Sequence, residues 1–319
     1  MRIIHVTKVP LERSSRIVSQ IDLFPGNSEV IYLDSFYKSI KCLLRIKNHT
    51  IVFHQQASLV AMLITIVFNF ILRNKNNIIY DMHDLVIFDY AGFYMRLRAC
   101  FIFILEKVVM LSNVKVITVS YGLAKVIKKK YNKQALVVYN FPQNYKGKST
   151  TNKEVGLNSV VSCYFGIIDE KRIPLKFFEK ISILTHKPVD IYGYISPVSK
   201  FTFDGVDFLS FKGHFNPKDI EFLKNYNLLV FVTDKKLNLN YKYCMPNKVF
   251  QAVENGLDLL VSDFFEEIIS TFNEAIEPNF IATEINGVKY LSCAKVSERL
   301  DDLFLISQRN FLSIVGDLK

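Results

Sequence analysis

The chain has 319 residues, half of them hydrophobic, with 27 Phe and 16 Tyr, enough apolar material to fill two cores in domains of roughly 150 residues. Its 40 Lys and Arg against 30 Asp and Glu leave a formal charge of +10, which points to an anionic partner such as a nucleotide or an acidic membrane face. No Arg-rich tail, zinc-ligand spacing or RNA-binding aromatic signature accompanies that charge, so nucleic acid is not expected. Five scattered cysteines without a C-x-x-C pair exclude a disulfide scaffold and fit a reduced, cytoplasmic setting.

MRIIHVTKVP runs straight into a strand at Arg2 to Val6 with no signal-type segment ahead of it. The loop from Thr7 to Glu12 carries Lys8 and leads past Arg13 into a helix, Ser14 to Phe24, that holds Arg16. Further strands are expected at Glu29 to Leu33, Thr50 to His54 and Asn77 to Tyr80. The uncharged run Ala57 to Leu72 falls short of the roughly 18 to 20 residues that span a bilayer, and is expected to pack as a helix within the domain. No glycine-rich loop follows the first strand, so dinucleotide binding at that turn is not expected.

The fourth strand empties into Asp81-Met82-His83-Asp84-Leu85. A histidine between carboxylates just past a strand end can have one nitrogen fixed by a carboxylate and the other offered to a substrate. The alternative is that Asp81 caps a helix and His83 packs beneath the loop. His54, closing the third strand, is a second candidate. Tyr94 to Leu111 reads as a helix with a broad apolar face and Arg96, Arg98 and Lys107, followed by a strand at Val114 to Ser120 and a helix ending in basic Lys125 to Lys130. Those lysines either complement the helix dipole or meet anionic lipid headgroups alongside the face of Phe93 to Leu111. Strands alternating with helices give a parallel α/β sheet.

Polar Asn140 to Ser159 reads as a linker, dividing the chain into 1–145, 146–300 and a closing helix at 301–319. Val160 to Phe165 is the next expected strand, with the loop Gly166 to Arg172 behind it. A glycine there lets backbone approach a ligand, and Arg172, with Lys171 beside it, can fork onto phosphate oxygens. Strands at Val189 to Tyr192, turning at Gly193, and at Val206 to Phe211 precede a helix from Pro217 to Asn225. Leu228 to Val232 is a buried strand; a polar loop with Asp234, Lys235, Lys236, Asn238 and Asn240 leads to a helix that starts near Pro246 and stops at Gly256, before a strand at Leu257 to Val261. Lys248, in the first turn of that helix, sits at its positive end, a combination that suits a diphosphate. Phe264 to Asn273 reads as helical, Ile281 to Thr283 as a strand and Val296 to Val315 as a helix.

Pro246-Asn247-Lys248-Val249-Phe250-Gln251 with Gly256, the Asp-x-His-Asp segment Asp81 to Asp84, and VITVSYGLAKVIKKKYNKQALVVYNFP together resemble GT-B glycosyltransferases related to retaining family 4. Gln251 stands where those enzymes have glutamate, Ile167 where an arginine is common, and Asp258 where a proline is usual. The resemblance implies an α/β GT-B fold, two Rossmann-like parallel-sheet domains facing a central cleft. It implies transfer of a sugar from a nucleotide-sugar to a glycan or lipid-linked acceptor in bacterial surface polysaccharide synthesis, with retention and without a metal or other cofactor. Donor binding would fall to Gly166, Arg172, Tyr243, Asn247, Lys248 and Gln251, catalysis to His83 and Asp84, and the acceptor side to Lys8, Arg13, Arg16 and His54. The basic, aromatic-rich chain makes an anionic membrane surface a candidate partner, with peripheral attachment on the inner face. An inactive GT-B partner or chaperone and a nucleotide-sugar epimerase are the alternatives.

Overall fold

The computed structural model describes residues 2–11, 14–23, 27–86, 93–142, 145, 159–170, 172–197, 199–214, 220–233 and 238–316. The chain forms two units, one of Met1–Asn144 with Phe304–Lys319 and one of Tyr145–Leu303.

The first unit alternates β1 (Ile3–Thr7), α1 (Ser15–Leu23), β2 (Ser28–Tyr32), α2 (Phe36–Leu43), β3 (Thr50–His54), α3 (Leu59–Ile71), β4 (Asn77–Met82), α4 (Phe93–Leu111), β5 (Lys115–Thr118), α5 (Tyr121–Tyr131) and β6 (Ala135–Val137). Its six strands lie in the order β2-β1-β3-β4-β5-β6, all parallel. β1 and β3 are buried along their whole length, including the polar His5, Thr7, Thr50 and His54, as strands of a parallel sheet covered on both faces should be. Ser120 caps α5, its Oγ accepting from the Leu123 N–H, and Asn132 ends the helix in the left-handed region. α2 is a helix that the alternation did not show; its sequence FYKSIKCL buries only Ser39 and Leu43. α3 packs inward through Leu59, Ala61, Met62 and Thr65, while Phe70 and Ile71 stay exposed, so the uncharged run is only half enclosed.

The second unit contains β7 (Ser162–Ile168), α6 (Leu175–Thr185), β8 (Val189–Ile195), β9 (Leu209–Gly213), β10 (Leu228–Phe231), α7 (Leu239–Lys242), α8 (Asn247–Glu254), β11 (Asp258–Ser262), α9 (Glu266–Thr271), β12 (Ile276–Glu277), α10 (Phe280–Glu284), β13 (Val288–Leu291) and α11 (Cys293–Gly316). Its seven strands are ordered β12-β13-β11-β10-β7-β8-β9; the last five are parallel, while β13 runs antiparallel to β11 and β12 antiparallel to β13. From Phe304 onward α11 belongs to the first unit, where Phe311 and Val315 join Ile3, Val52 and Ile79 in one core cluster. Asn310 donates to the Val137 carbonyl there at 2.7 Å. Each unit is thus a Rossmann-like α/β layer built around its own core.

Three expectations need correction. Gly166 and Gly193 lie inside β7 and β8, where they pair in register, instead of in the loops behind them. Ile281 to Thr283 is helical, because the Asn279 side chain accepts from the Ile281 N–H and caps α10. Of the helix expected from Pro217 to Asn225, Glu221–Asn225 is a single 3₁₀ turn, and 215–219 lie outside the described residues. Most of the linker, 143–144 and 146–158, also lies outside them.

Candidate functional site

In the first unit the polar residues gather around one carboxylate. Asp81, in β4 and wholly buried, accepts from Arg16 Nε at 2.9 and 3.0 Å, Arg16 Nη2 at 2.6 Å, Gln20 Nε2 at 2.7 Å, and His54 Nδ1 and His83 Nε2 at 2.9 Å each. Arg16 also donates from Nη1 to the Val138 carbonyl at 2.7 Å. Burial pushes the Asp81 carboxyl up, but the Arg16 guanidinium and the two histidines override it and hold the group well below the usual carboxylate range. Because the ionised carboxylate only accepts, His54 donates through Nδ1–H, and its Nε2 accepts from His5 Nδ1 at 2.9 Å. The buried Nε2 of His5 ends the chain without a hydrogen-bond partner among the described residues. Burial lowers His5 and His54, both held neutral; a second contribution from His54 adds to the effect at His5, and Asp81 partly offsets it at His54.

His83 is the member of this network that reaches the surface. It lines a cavity of 330 Å³ with Gln55, Gln56, Tyr80, Asp84 and Arg98. Its Nε2 is fixed by Asp81, and its Nδ1 makes no hydrogen bond among the described residues. Asp84 is exposed beside it, its carbonyl accepting from Gln56 Nε2 at 3.2 Å. Gln55 holds φ 62°, ψ 166°, a conformation that costs a non-glycine residue about 1–3 kcal/mol and that clusters at functional sites. The sequence marks neither Gln55 nor Gln20 and shows Arg98 only as a basic residue of its helix; Gln55 follows a strand end directly, the one signal that could have marked it.

The ligand atoms of His54, Asp81 and His83 lie within 4.8 Å of one another, a donor set that a divalent cation can take. Arg16, however, already places its charge against both Asp81 oxygens, and each imidazole spends a nitrogen on Oδ2. The group is satisfied as a hydrogen-bonded hub and fits a metal poorly.

Of the four residues expected on the acceptor side, Lys8 is exposed and Arg13 lies outside the described residues. Arg16 and His54 are 3% and 1% exposed and committed to Asp81, so they support the loop from beneath and cannot meet an acceptor.

In the second unit Lys248 lies in the first turn of α8, behind Pro246 as N-cap. Its ammonium donates to the Phe165 carbonyl at 2.7 Å and sits 4.6, 5.7 and 5.1 Å from the ring centres of Tyr164, Phe165 and Phe231. It forms no ion pair among the described residues, and burial, with the nearby Arg172 charge, lowers it to about 7. Gly166 lies against it: a Cβ there would stand 2.6 Å from Nζ. Arg172 pairs with Asp169 through Nη1 and hydrogen-bonds the Tyr241 hydroxyl through Nη2, while Asp169 also accepts from the Arg172 backbone N–H at 2.8 Å. Tyr241, Asp169 and Tyr164 are thus parts of the site that the motif spacing did not single out. Tyr243 is half-buried just before α8, Asn247 is that helix's first residue, and the side chain of half-buried Gln251 makes no hydrogen bond among the described residues. Lys171 and 234–237 lie outside the described residues.

No protein-family profile and no curated protein sequence matches the chain. Among solved structures, the glycotransferase of kitacinnamycin aligns over 97% of this chain and 95% of that chain, with TM-score 0.46 and 9% identity. The glycosyltransferase SnogD from Streptomyces nogalater aligns over 100% of this chain and 95% of that chain, with TM-score 0.36 and 7% identity. At these scores the functional reading rests on the chain's own residues. No helix among the described residues is long and apolar enough to cross a membrane.

Proposed function

We propose that the protein is a glycosyltransferase of the GT-B kind, moving a sugar from a nucleotide-sugar to a glycan or lipid-linked acceptor in bacterial surface polysaccharide synthesis. The observation that carries this reading is Lys248: an ammonium in an aromatic surround, without a carboxylate partner among the described residues, beside a side-chain-free Gly166 and the guanidinium of Arg172. A cation that the described residues leave without a carboxylate at the carboxyl end of a parallel strand is a receptor for an anion, and a diphosphate brings two negative groups that Lys248 and, from its pair with Asp169, Arg172 can share. Charge builds on that diphosphate as its bond to the sugar breaks, so these cations act where transition-state stabilisation is needed. Gln251 would take the ribose hydroxyls. With cations supplied by side chains, the transfer needs no metal.

In the first unit His83 is the group that can accept the acceptor's hydroxyl proton. Asp81 holds its Nε2–H, which leaves Nδ1 as the lone-pair nitrogen, and Arg16 keeps Asp81 ionised. A histidine base favours direct displacement with inversion; retention, the outcome of the enzymes it resembles, would leave the proton to the departing diphosphate. The anomer of the product, read by NMR, separates the two. The reading as a whole is tested by thermal shift against UDP, GDP and CMP, followed by donor turnover with the matching sugar nucleotides. A midpoint rise of several degrees with one nucleotide, lost in Lys248→Ala and Arg172→Ala, is expected; indifference to all of them would leave the inactive-partner alternative.

A further inference from the structure

In the first unit, α3 and α4 pack against each other and leave apolar faces uncovered. On α4, Phe93, Leu97, Phe101, Ile104, Val108 and Leu111 recur every three or four positions, so they form one stripe, and they are between 48 and 80% exposed. On α3, Val60, Val67 and Ile71, seven and four positions apart, fall on one face and are also exposed. An uncovered apolar surface of this extent marks an interaction site. On and beside these helices Arg73, Lys75, Arg96, Arg98 and Lys107 are all exposed, with Asp84 next to Arg98 in the cavity that both line. α3 carries no acidic residue, and the single one on α4, Glu106, is buried with hydrogen bonds from Tyr80 at 3.0 Å and from Tyr131.

We propose that the paired outer faces of α3 and α4 dock the protein onto an anionic lipid bilayer, lying in its interface without spanning it. An apolar stripe with a cationic rim is the pattern that inserts at the headgroup boundary and draws anionic lipid around itself. A second copy of the chain is disfavoured as the occupant, because a symmetric dimer through this surface would bring the two cationic rims together. Docking there requires no transfer chemistry.

The test is flotation of the full chain with phosphatidylcholine vesicles, with and without phosphatidylglycerol. Co-flotation with the anionic vesicles, weakening as salt is raised, is expected. Leu97→Ser with Ile104→Ser should cut binding at least roughly tenfold, and Arg96→Glu with Lys107→Glu should abolish the preference for anionic lipid. The chain holds no Trp, so Phe101→Trp gives a single reporter whose emission should shift to the blue on adding anionic vesicles. The proposal is overturned by equal binding to neutral vesicles, by undiminished flotation of the serine variant, or by a dimer in light scattering that shields the indole of the Phe101→Trp variant without lipid.

Discussion

His83 Nε2 lies 2.9 Å from Oδ2 of Asp81, two residues earlier on the same strand end, and the same oxygen accepts from His54 Nδ1 at 2.9 Å. One carboxylate therefore serves a buried, structural imidazole and a cavity-lining one, and the two should answer mutation differently. His83→Gln keeps a polar side chain in the cavity and should lower kcat by about 10²–10⁴-fold with little change in thermal midpoint. Asp81→Asn removes the counter-charge of a buried guanidinium and should cost about 3–5 kcal/mol. Calorimetry alongside turnover distinguishes them; full activity in His83→Gln would remove His83 from the chemistry.

The same network sets how the first unit responds to acid. His5 and His54 have folded values below the ordinary 6.5, so as pH falls through 6.5 the unfolded chain takes protons that the folded chain refuses, and stability declines. Asp81, depressed below 3.8, adds a further loss as pH falls below that value. Chemical denaturation followed from pH 8 to 5 should therefore show falling stability, and the fall should be shallower in His5→Phe, which removes one of the two buried imidazoles. A flat profile above pH 5 would contradict the neutral assignment.

The parallel sheets were legible because their strands carry apolar runs, Ile51–Phe53 and Leu228–Phe231 among them, set between helical segments. The Asp81 hub was not. The pairing of His83 with a neighbouring carboxylate could be read from Asp81-Met82-His83-Asp84, but His5, Arg16, Gln20 and His54 come from three further elements, and beyond the one-turn spacing of Arg16 and Gln20 on α1 nothing in their linear order shows that they converge on Asp81. Lys248 could be read from its place after Pro246, whereas its surround of Tyr164, Phe165 and Phe231 depends on which strands lie beneath α8. α10 was missed because Ile-Ala-Thr has strand-like composition and the capping by Asn279 outweighs it.

The register that sets Gly166 opposite Gly193 in β7 and β8 brings the two backbones into close approach. A Cβ at residue 193 would fall 1.7 Å from the Gly166 carbonyl oxygen, and both glycines have positive φ, 139° and 151°. Gly193→Ala must therefore part the strands or bend one of them, and its expected cost exceeds the roughly 1 kcal/mol of an ordinary Gly→Ala change in a strained position. Gly166 carries the same backbone strain, but its steric obstacle is the tip of Lys248, which can move. Gly166→Ala should fold but bind nucleotide weakly, and a variant pair with the opposite ranking in soluble yield would count against this register.

Lys248 ties stability to binding. With its folded value at about 7 against 10.5 in the open chain, the unfolded state holds more protons between those limits, so the second unit should gain stability as pH rises from 7 toward 10.5. Lys248→Met removes the desolvated ammonium while keeping the aromatic contacts, and should raise the thermal midpoint, by about 2–4 °C for each kcal/mol recovered in a unit of this size. A bound diphosphate needs that ammonium charged, so nucleotide affinity in the unaltered protein should fall above pH 7, by up to about tenfold per pH unit, as binding comes to require proton uptake. Isothermal titration in buffers of differing ionisation enthalpy measures the uptake directly. Zero proton uptake at pH 8 with undiminished affinity would place the phosphates elsewhere, whereas a stabilised and non-binding Lys248→Met would show that the chain keeps an unfavourable charge in this pocket because the ligand requires it.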